Sequence, residues 1–354
     1  MQIEFFRMSQ TTQTMTIPGA KPARIPALDF TKGALVLIMV LYHWINYFLG
    51  PHDNRYLRFL TPSFIFISGF IVSNVYFSKY SISDPQLPKR LIQRGLKILG
   101  VFLCLNLTRN FISPGRSPDV AALTTQDRIR SLFDIYVLGS GVGGGQAKAV
   151  AFFILVPISY LLLLSAVLLV VSRYCRFAVH IVCMVFLFGI AVSNYEGVEI
   201  PNLELLTIGL LGMIAGYLST EKVNAVVRHP YLLATGYLAY LAAITVWNVL
   251  YPLQIIGVYL SLMILYLMGL QSGEPGKIRA TVVLLGKYSL LGYIAQIAIL
   301  QCLRRVFNPF SWETALLVLS FILAFALTVA SIKLVDYARA GSVLIDRFYK
   351  LVFA

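Results

Sequence analysis

The sequence predicts an all-α, polytopic integral membrane protein with about ten transmembrane helices, N-in and C-in. Three observations lead there. Of the 354 residues, 58% are hydrophobic and only 12% charged, whereas charged residues make up about 25% of a soluble domain. Apolar stretches of spanning length, roughly 17–25 residues, recur from one end of the chain to the other. The basic residues are also distributed unevenly between alternate connections.

The stretches fall at 33–50, 57–78, 95–112, 149–171, 177–194, 203–219, 230–249, 253–270, 284–303 and 314–335. Those at 95–112 and 253–270 are short or interrupted by polar residues. Residues 1–30 read as a polar cytoplasmic tail with no apolar core of the kind a signal peptide carries. Residues 31–337 form the transmembrane domain, and 338–354 a second cytoplasmic tail. With the N-terminus inside, the inner connections and tails hold 20 of the 29 Lys and Arg and 7 of the 15 acids. That is a net charge of +13 inside and +1 outside, the asymmetry of the positive-inside rule. The basic balance is thereby explained by topology, and no nucleic acid is expected as a partner.

The first stretch carries the most chemistry. It reads Arg24-Ile-Pro-Ala-Leu-Asp29-Phe-Thr-Lys32-Gly33 and continues to Tyr42-His43-Trp44. Ionisable groups in hydrocarbon are costly, so they mark function more often than packing. Lys32 and His43 are eleven residues apart, about three turns, which puts them on nearly one face roughly 16 Å apart. Asp29 lies one turn before Lys32 on a similar bearing. His43 alone would be equally well read as a core histidine bonded to a neighbouring helix.

The second stretch holds Thr61-Pro62-Ser63 and Ser68-Gly69, where small residues permit close helix approach. Before the third lies Lys89-Arg90-Leu-Ile-Gln-Arg94-Gly-Leu-Lys97. Arg90, Arg94 and Lys97 are spaced to share one helical face. They suit either lipid headgroups or the phosphates of a polyanionic ligand. The long outer connection, 113–148, contains a glycine run at 139–145 that reads as a flexible loop. It lacks the strand and the Gly-Lys-Ser/Thr ending of a phosphate loop.

Further along, His180 lies in the fifth stretch without ionisable company, and His229 precedes Pro230 in an inner turn. His52 follows the first stretch at the outer surface. Gly212-Met-Ile-Ala-Gly216 is a packing motif. Arg109 and Arg304-Arg305 sit at outer ends, where they anchor the interface or meet an acceptor. The four cysteines, Cys104, Cys175, Cys183 and Cys302, have no paired spacing, so neither a disulfide framework nor a metal site is expected.

Three motifs resemble those of the transmembrane acyltransferase superfamily, which includes the acyltransferase-3 and heparan-glucosaminide N-acetyltransferase-like membrane proteins. Leu28-Asp29-Phe-Thr-Lys32-Gly33 followed by His43 is similar to the family's Leu-Asp-x-x-Arg-Gly and histidine. Pro62-Ser-Phe-Ile-Phe-Ile-Ser68-Gly69-Phe is similar to its Phe-x-x-x-Ser-Gly-Phe. Leu285-Gly286-Lys287-Tyr-Ser289-Leu-Leu-Gly-Tyr293-Ile-Ala-Gln296 is similar to its Leu-Gly-Arg-x-Ser-x-x-x-Tyr-x-x-His. Lys32 replaces an arginine, which loses bidentate phosphate geometry, and Gln296 replaces a histidine.

The resemblance implies transfer of an acyl group, acetyl by family expectation, from cytoplasmic acyl-CoA to a hydroxyl or amine of an outer glycan or lipid-linked sugar. His43 would be general base or acyl carrier. Lys32, Arg24, Arg90 and Arg94 would hold the donor. Asp29, too far from His43 to orient it, would pair with Lys32 or an arginine of the third helix, and Ser68 would contribute a polar contact near the thioester. Acyl-CoA enters as a substrate, and no metal is implied. The expected setting is the bacterial inner membrane, with the bilayer as a partner and a homo-oligomer left open. A transporter or flippase without covalent chemistry also fits ten spans with buried charge, as does an assembly partner whose catalytic residues have decayed.

Overall fold

The computed structural model describes residues 25–50, 55–76, 86–112, 125–139, 152–218, 220–247, 249–271, 276–307 and 314–353. Every regular element among them is helical. Chain order begins with α1 (Pro26–Phe48), a short 3-10 turn at Arg55–Leu57, α2 (Leu60–Ile71) with a π turn at Val72–Tyr76, and α3 (Gln86–Ile112). Then come α4 (Thr125–Phe133) with a π turn at Asp134–Leu138, α5 (Leu155–Val171), α6 (Ala178–Tyr195), α7 (Pro201–Gly216) and α8 (Thr220–Val227). The chain closes with α9 (Pro230–Trp247), α10 (Tyr251–Gln271), α11 (Lys277–Lys287), α12 (Ser289–Phe307), α13 (Thr314–Gly341) and α14 (Val343–Phe353).

Eight of these helical segments are long and apolar enough to cross a bilayer, which makes this a membrane protein. They are α1, α2 with its flanking turns, α3, α6, α9, α10, α12 and α13. The apolar α5 is shorter, and α7 passes the test only together with α8, which bends away at 101°. Each of the predicted stretches falls on a helix, but several bounds move. Pro26 at the first helical position starts α1 well before residue 33, because its missing N–H costs nothing there and its φ is preset for a helix. Asp29 and Lys32 thus lie inside the helix. α5 begins at Leu155, not 149.

The connection at 113–148 carries a helix of its own: residues 125–138 form α4 and its π turn. Asn202 Nδ2, at the start of α7, donates toward the carbonyls of Ile135, Tyr136 and Val137 at 3.4, 3.1 and 3.3 Å. Tyr160 Oη donates to Tyr136 O at 3.0 Å. Gly139 ends the turn at φ +81°, a conformation that suits glycine. Glycines 141 and 143–145 of the predicted loop lie outside the described residues.

Packing divides into two sets that share α1 and α2. On one side α2 crosses α7, α3 pairs with α5, and α6 packs on α7. On the other, α1 is the hub, touching α10, α11, α12 and α13. Glycines set the closest crossings. A Cβ on Gly69 would lie 2.0 Å from Gly209 O, and one on Gly212 2.1 Å from Phe66 O. Without side chains in the way, the backbones of α2 and α7 touch, as small residues allow in membrane bundles. The expected packing role of Gly212 and Gly216 is what the crossing displays, since a Cβ on Gly216 would also meet α2 at Phe70 O, 2.7 Å away.

Candidate functional site

α1 carries His43 into the middle of the second set. The ring of Tyr42 lies edge-on at 5.1 Å, and Tyr293 of α12 is tilted at 6.4 Å. His43 Nε2 is shielded from solvent. α12 runs beside α1 in the same direction, with Gly292 against Val36 and Leu300 in one apolar cluster with Val40 and Phe48. That register puts Tyr293 and Gln296 on the stretch of α12 alongside Val36 to Phe48.

Tyr293 is also a wall of a cavity of about 120 Å³ between α2, α3, α5 and α12. Its polar lining is Ser68, Tyr76, Arg94, Ser289 and Tyr293, and its apolar lining includes Phe64, Ile98, Ile158 and Leu162. Arg94 Nη1 donates to Tyr76 Oη at 2.5 Å at an exposed position, so the cation sits at the rim. Phe152 packs edge-on against Tyr293 at 5.9 Å and holds φ +60°, a left-handed conformation that a bulky residue adopts only when its surroundings demand it. An aromatic chain therefore runs from Phe152 through Tyr293 to His43.

The structure brings two expected site residues, Ser68 and Arg94, to this one cavity. Ser68 Oγ donates to Phe64 O at 2.8 Å, its own preceding turn. Lys32 and Asp29 form an ion pair at 2.6 Å, 18% and 13% exposed, which is one of the two pairings expected of Asp29; neither lines the cavity. The basic run of α3 spreads in three directions. Arg90 donates to Gln86 Oε1 at 3.2 Å, Arg94 lines the cavity, and Lys97 Nζ donates to Lys350 O at 3.3 Å. Arg24 and His52 lie outside the described residues.

Beyond His43 along α1, Tyr47 accepts a hydrogen bond from Gln301 Nε2 at 3.3 Å, and Arg304 stacks its guanidinium over the Tyr47 ring at 5.8 Å. His180 is exposed, with Tyr217 stacked at 6.3 Å. Among the described residues, no group of His, Cys, Asp and Glu is placed to hold a metal.

Sequence reasoning assigned no role to three features. Tyr293 was visible in the late motif, yet its bridging position depends on α12 lying against both α1 and α5. Gln296 is fully buried, and neither its Nε2 nor its Oε1 has a hydrogen-bond partner among the described residues. The third is a polar chain that clips the C-terminal helix. Lys287 pairs with Asp336 at 3.0 Å, Tyr288 Oη donates to Asp336 at 2.5 Å, and Arg339 donates to Tyr288 Oη at 2.9 Å. Arg339 also pairs with Asp346 at 2.5 Å, and Lys350 pairs with the same carboxylate. Lys350 and Arg339 beside it hold the Asp346 carboxyl below its ordinary value.

The arrangement is an imidazole one aromatic contact from a largely apolar cavity with a guanidinium at its rim. A second cation and an amide lie one turn beyond the imidazole. Compared with models of known families, with curated proteins and with solved structures, the chain matches none.

Proposed function

We propose that the protein is a membrane-embedded acyltransferase. It takes an acyl group from cytoplasmic acyl-CoA and passes it to a hydroxyl or amine of a glycan or lipid-linked sugar at the outer face of a bacterial inner membrane. The observation that carries the reading is that His43 contacts Tyr293, and Tyr293 lines the cavity that Arg94 and Ser68 share. The motif likeness supports it. The reading takes ten crossings, with α5 as one and α7–α8 as another, and with both termini in the cytoplasm, as the charge asymmetry favours.

Under this orientation the cavity opens toward the cytoplasm at Arg94, and Tyr47, Gln301 and Arg304 face the outer side. His43 takes the proton of the acceptor hydroxyl as the oxygen attacks the thioester carbon. The C–O bond forms, the C–S bond breaks, and the imidazolium returns the proton to the departing thiolate. Arg94 anchors a phosphate of the donor by a charge-assisted hydrogen bond.

The test uses the full chain in nanodiscs with labelled acyl-CoA. His43→Ala is expected to bind donor like the wild type and to lose turnover by about 100- to 10,000-fold, the usual worth of a general base. A wild-type protein with no acyl-CoA affinity, together with substrate counterflow in proteoliposomes lacking donor, would instead establish a carrier.

A further inference from the structure

The cavity beside Tyr293 is more than a passage. Its volume is about 120 Å³. Of its fourteen lining residues, nine are hydrocarbon or phenylalanine side chains, and they come from four helices. Ile98, Ile154, Leu155 and Leu162 are themselves buried. The polar groups are partly committed. Ser68 donates to its own helix, and Arg94 and Tyr76 bond to each other at the exposed rim. A wall of this kind holds water poorly and hydrocarbon well.

We propose that this cavity is an acyl-chain pocket, and that the group transferred is a short chain of about four to six carbons, since an apolar protein cavity of about 150 Å³ takes up a benzene. The inference rests on the acyltransferase reading and departs from the acetyl group that the motif likeness implies. Two carbons would leave most of the space empty, and an unfilled apolar void forfeits contacts on every wall. Each further methylene buried raises affinity about fourfold, so a butanoyl donor gains about fifteenfold over acetyl. The gain ends where the chain meets the far wall. Ile158 and Leu162 of α5 and Phe64 of α2 are among the lining side chains that would set this limit.

The experiment is competition binding of straight-chain acyl-CoAs with two, four, six, eight and ten carbons to the full chain in nanodiscs. The expected profile rises from acetyl to a maximum at four to six carbons and falls at eight. Leu162→Phe is expected to shift the maximum toward acetyl, and Ile158→Ala toward eight carbons. The enlarging variant keeps the test alive should the filled one fail to fold. A maximum at acetyl, or a profile flat in chain length, overturns the pocket assignment while leaving the acyltransferase reading intact. No affinity for any chain length overturns both.

Discussion

Gly33 of α1 and Gly286 of α11 meet where two helix backbones touch: a Cβ on Gly33 would lie 1.9 Å from Val282 O, and one on Gly286 would lie 1.7 Å from Asp29 O. These glycines belong to two of the three motifs that resemble acyltransferases, more than two hundred residues apart in sequence. Their shared job is contact. The crossing pins the start of α1, with its Asp29–Lys32 pair, against the helix that leads into Tyr288 and α12.

Because backbone is the obstacle on each side, neither site can yield by a rotamer change. Gly33→Ala and Gly286→Ala are each expected to destabilise the fold by about 1–3 kcal/mol or more, the range for overpacking. Thermal unfolding of purified protein in detergent reads the loss. An unchanged midpoint for both variants would show that the helices do not cross this closely.

Arg94 and Lys32 are expected to separate in their effects. Arg94→Ala lowers acyl-CoA affinity by about tenfold, the scale of one lost charge-assisted hydrogen bond of about 1.5 kcal/mol, with little change in stability, since the side chain lies at an exposed rim. Lys32→Ala instead leaves the Asp29 carboxylate largely buried without its cation and lowers stability. The double change Asp29→Asn with Lys32→Ala restores stability. Donor affinity that stays low in that double variant would assign Lys32 a direct contact with the donor.

Gln296 is buried with both amide atoms unpartnered among the described residues. Such a group costs about 1–3 kcal/mol, and Gln296→Leu removes it at similar volume. The variant is expected to be at least as stable as the wild type, and under the acyltransferase reading acyl transfer falls, the amide then serving a substrate group. Full activity in a stabilised Gln296→Leu protein would make Gln296 a leftover of packing.

The clip on α14 has a pH signature. The Asp346 carboxyl titrates below its ordinary value of 3.8 in the folded protein, chiefly through its hydrogen bond from Lys350 and then through that from Arg339. A lowered folded value means that the clip contributes fully above 3.8 and is lost as the pH falls through the folded value. The protection of α14 amides, read from hydrogen exchange after correction for the intrinsic rate at each pH, is therefore expected to be flat from neutral pH to about 5 and to fall only in stronger acid. Asp346→Asn is expected to lower that protection at neutral pH and to match the wild type in strong acid, and unchanged protection in the variant at neutral pH would count against the clip.

The sequence pattern marks where the spanning helices run. In hydrocarbon each span must satisfy its own backbone hydrogen bonds, so the apolar stretches mark helices without reference to any neighbour. It also placed Asp29, Lys32 and His43 together on α1, because spacing along one helix is local geometry. The tertiary structure decided the rest. Which residue of the α3 basic run reaches the cavity depends on how α3 rotates against α5, where Ser159 donates to Gly95 O at 2.8 Å. That rotation selects Arg94 for the cavity and sends Lys97 toward α14. α4 escaped a reading by composition because its anchor is Asn202, distant in sequence, and Tyr293 became a bridge only once α12 lay between α1 and α5. Hydropathy records how each segment meets lipid. It carries no term for which face meets which partner, and that is set by close packing between backbones at glycines and by polar groups that find each other across helices.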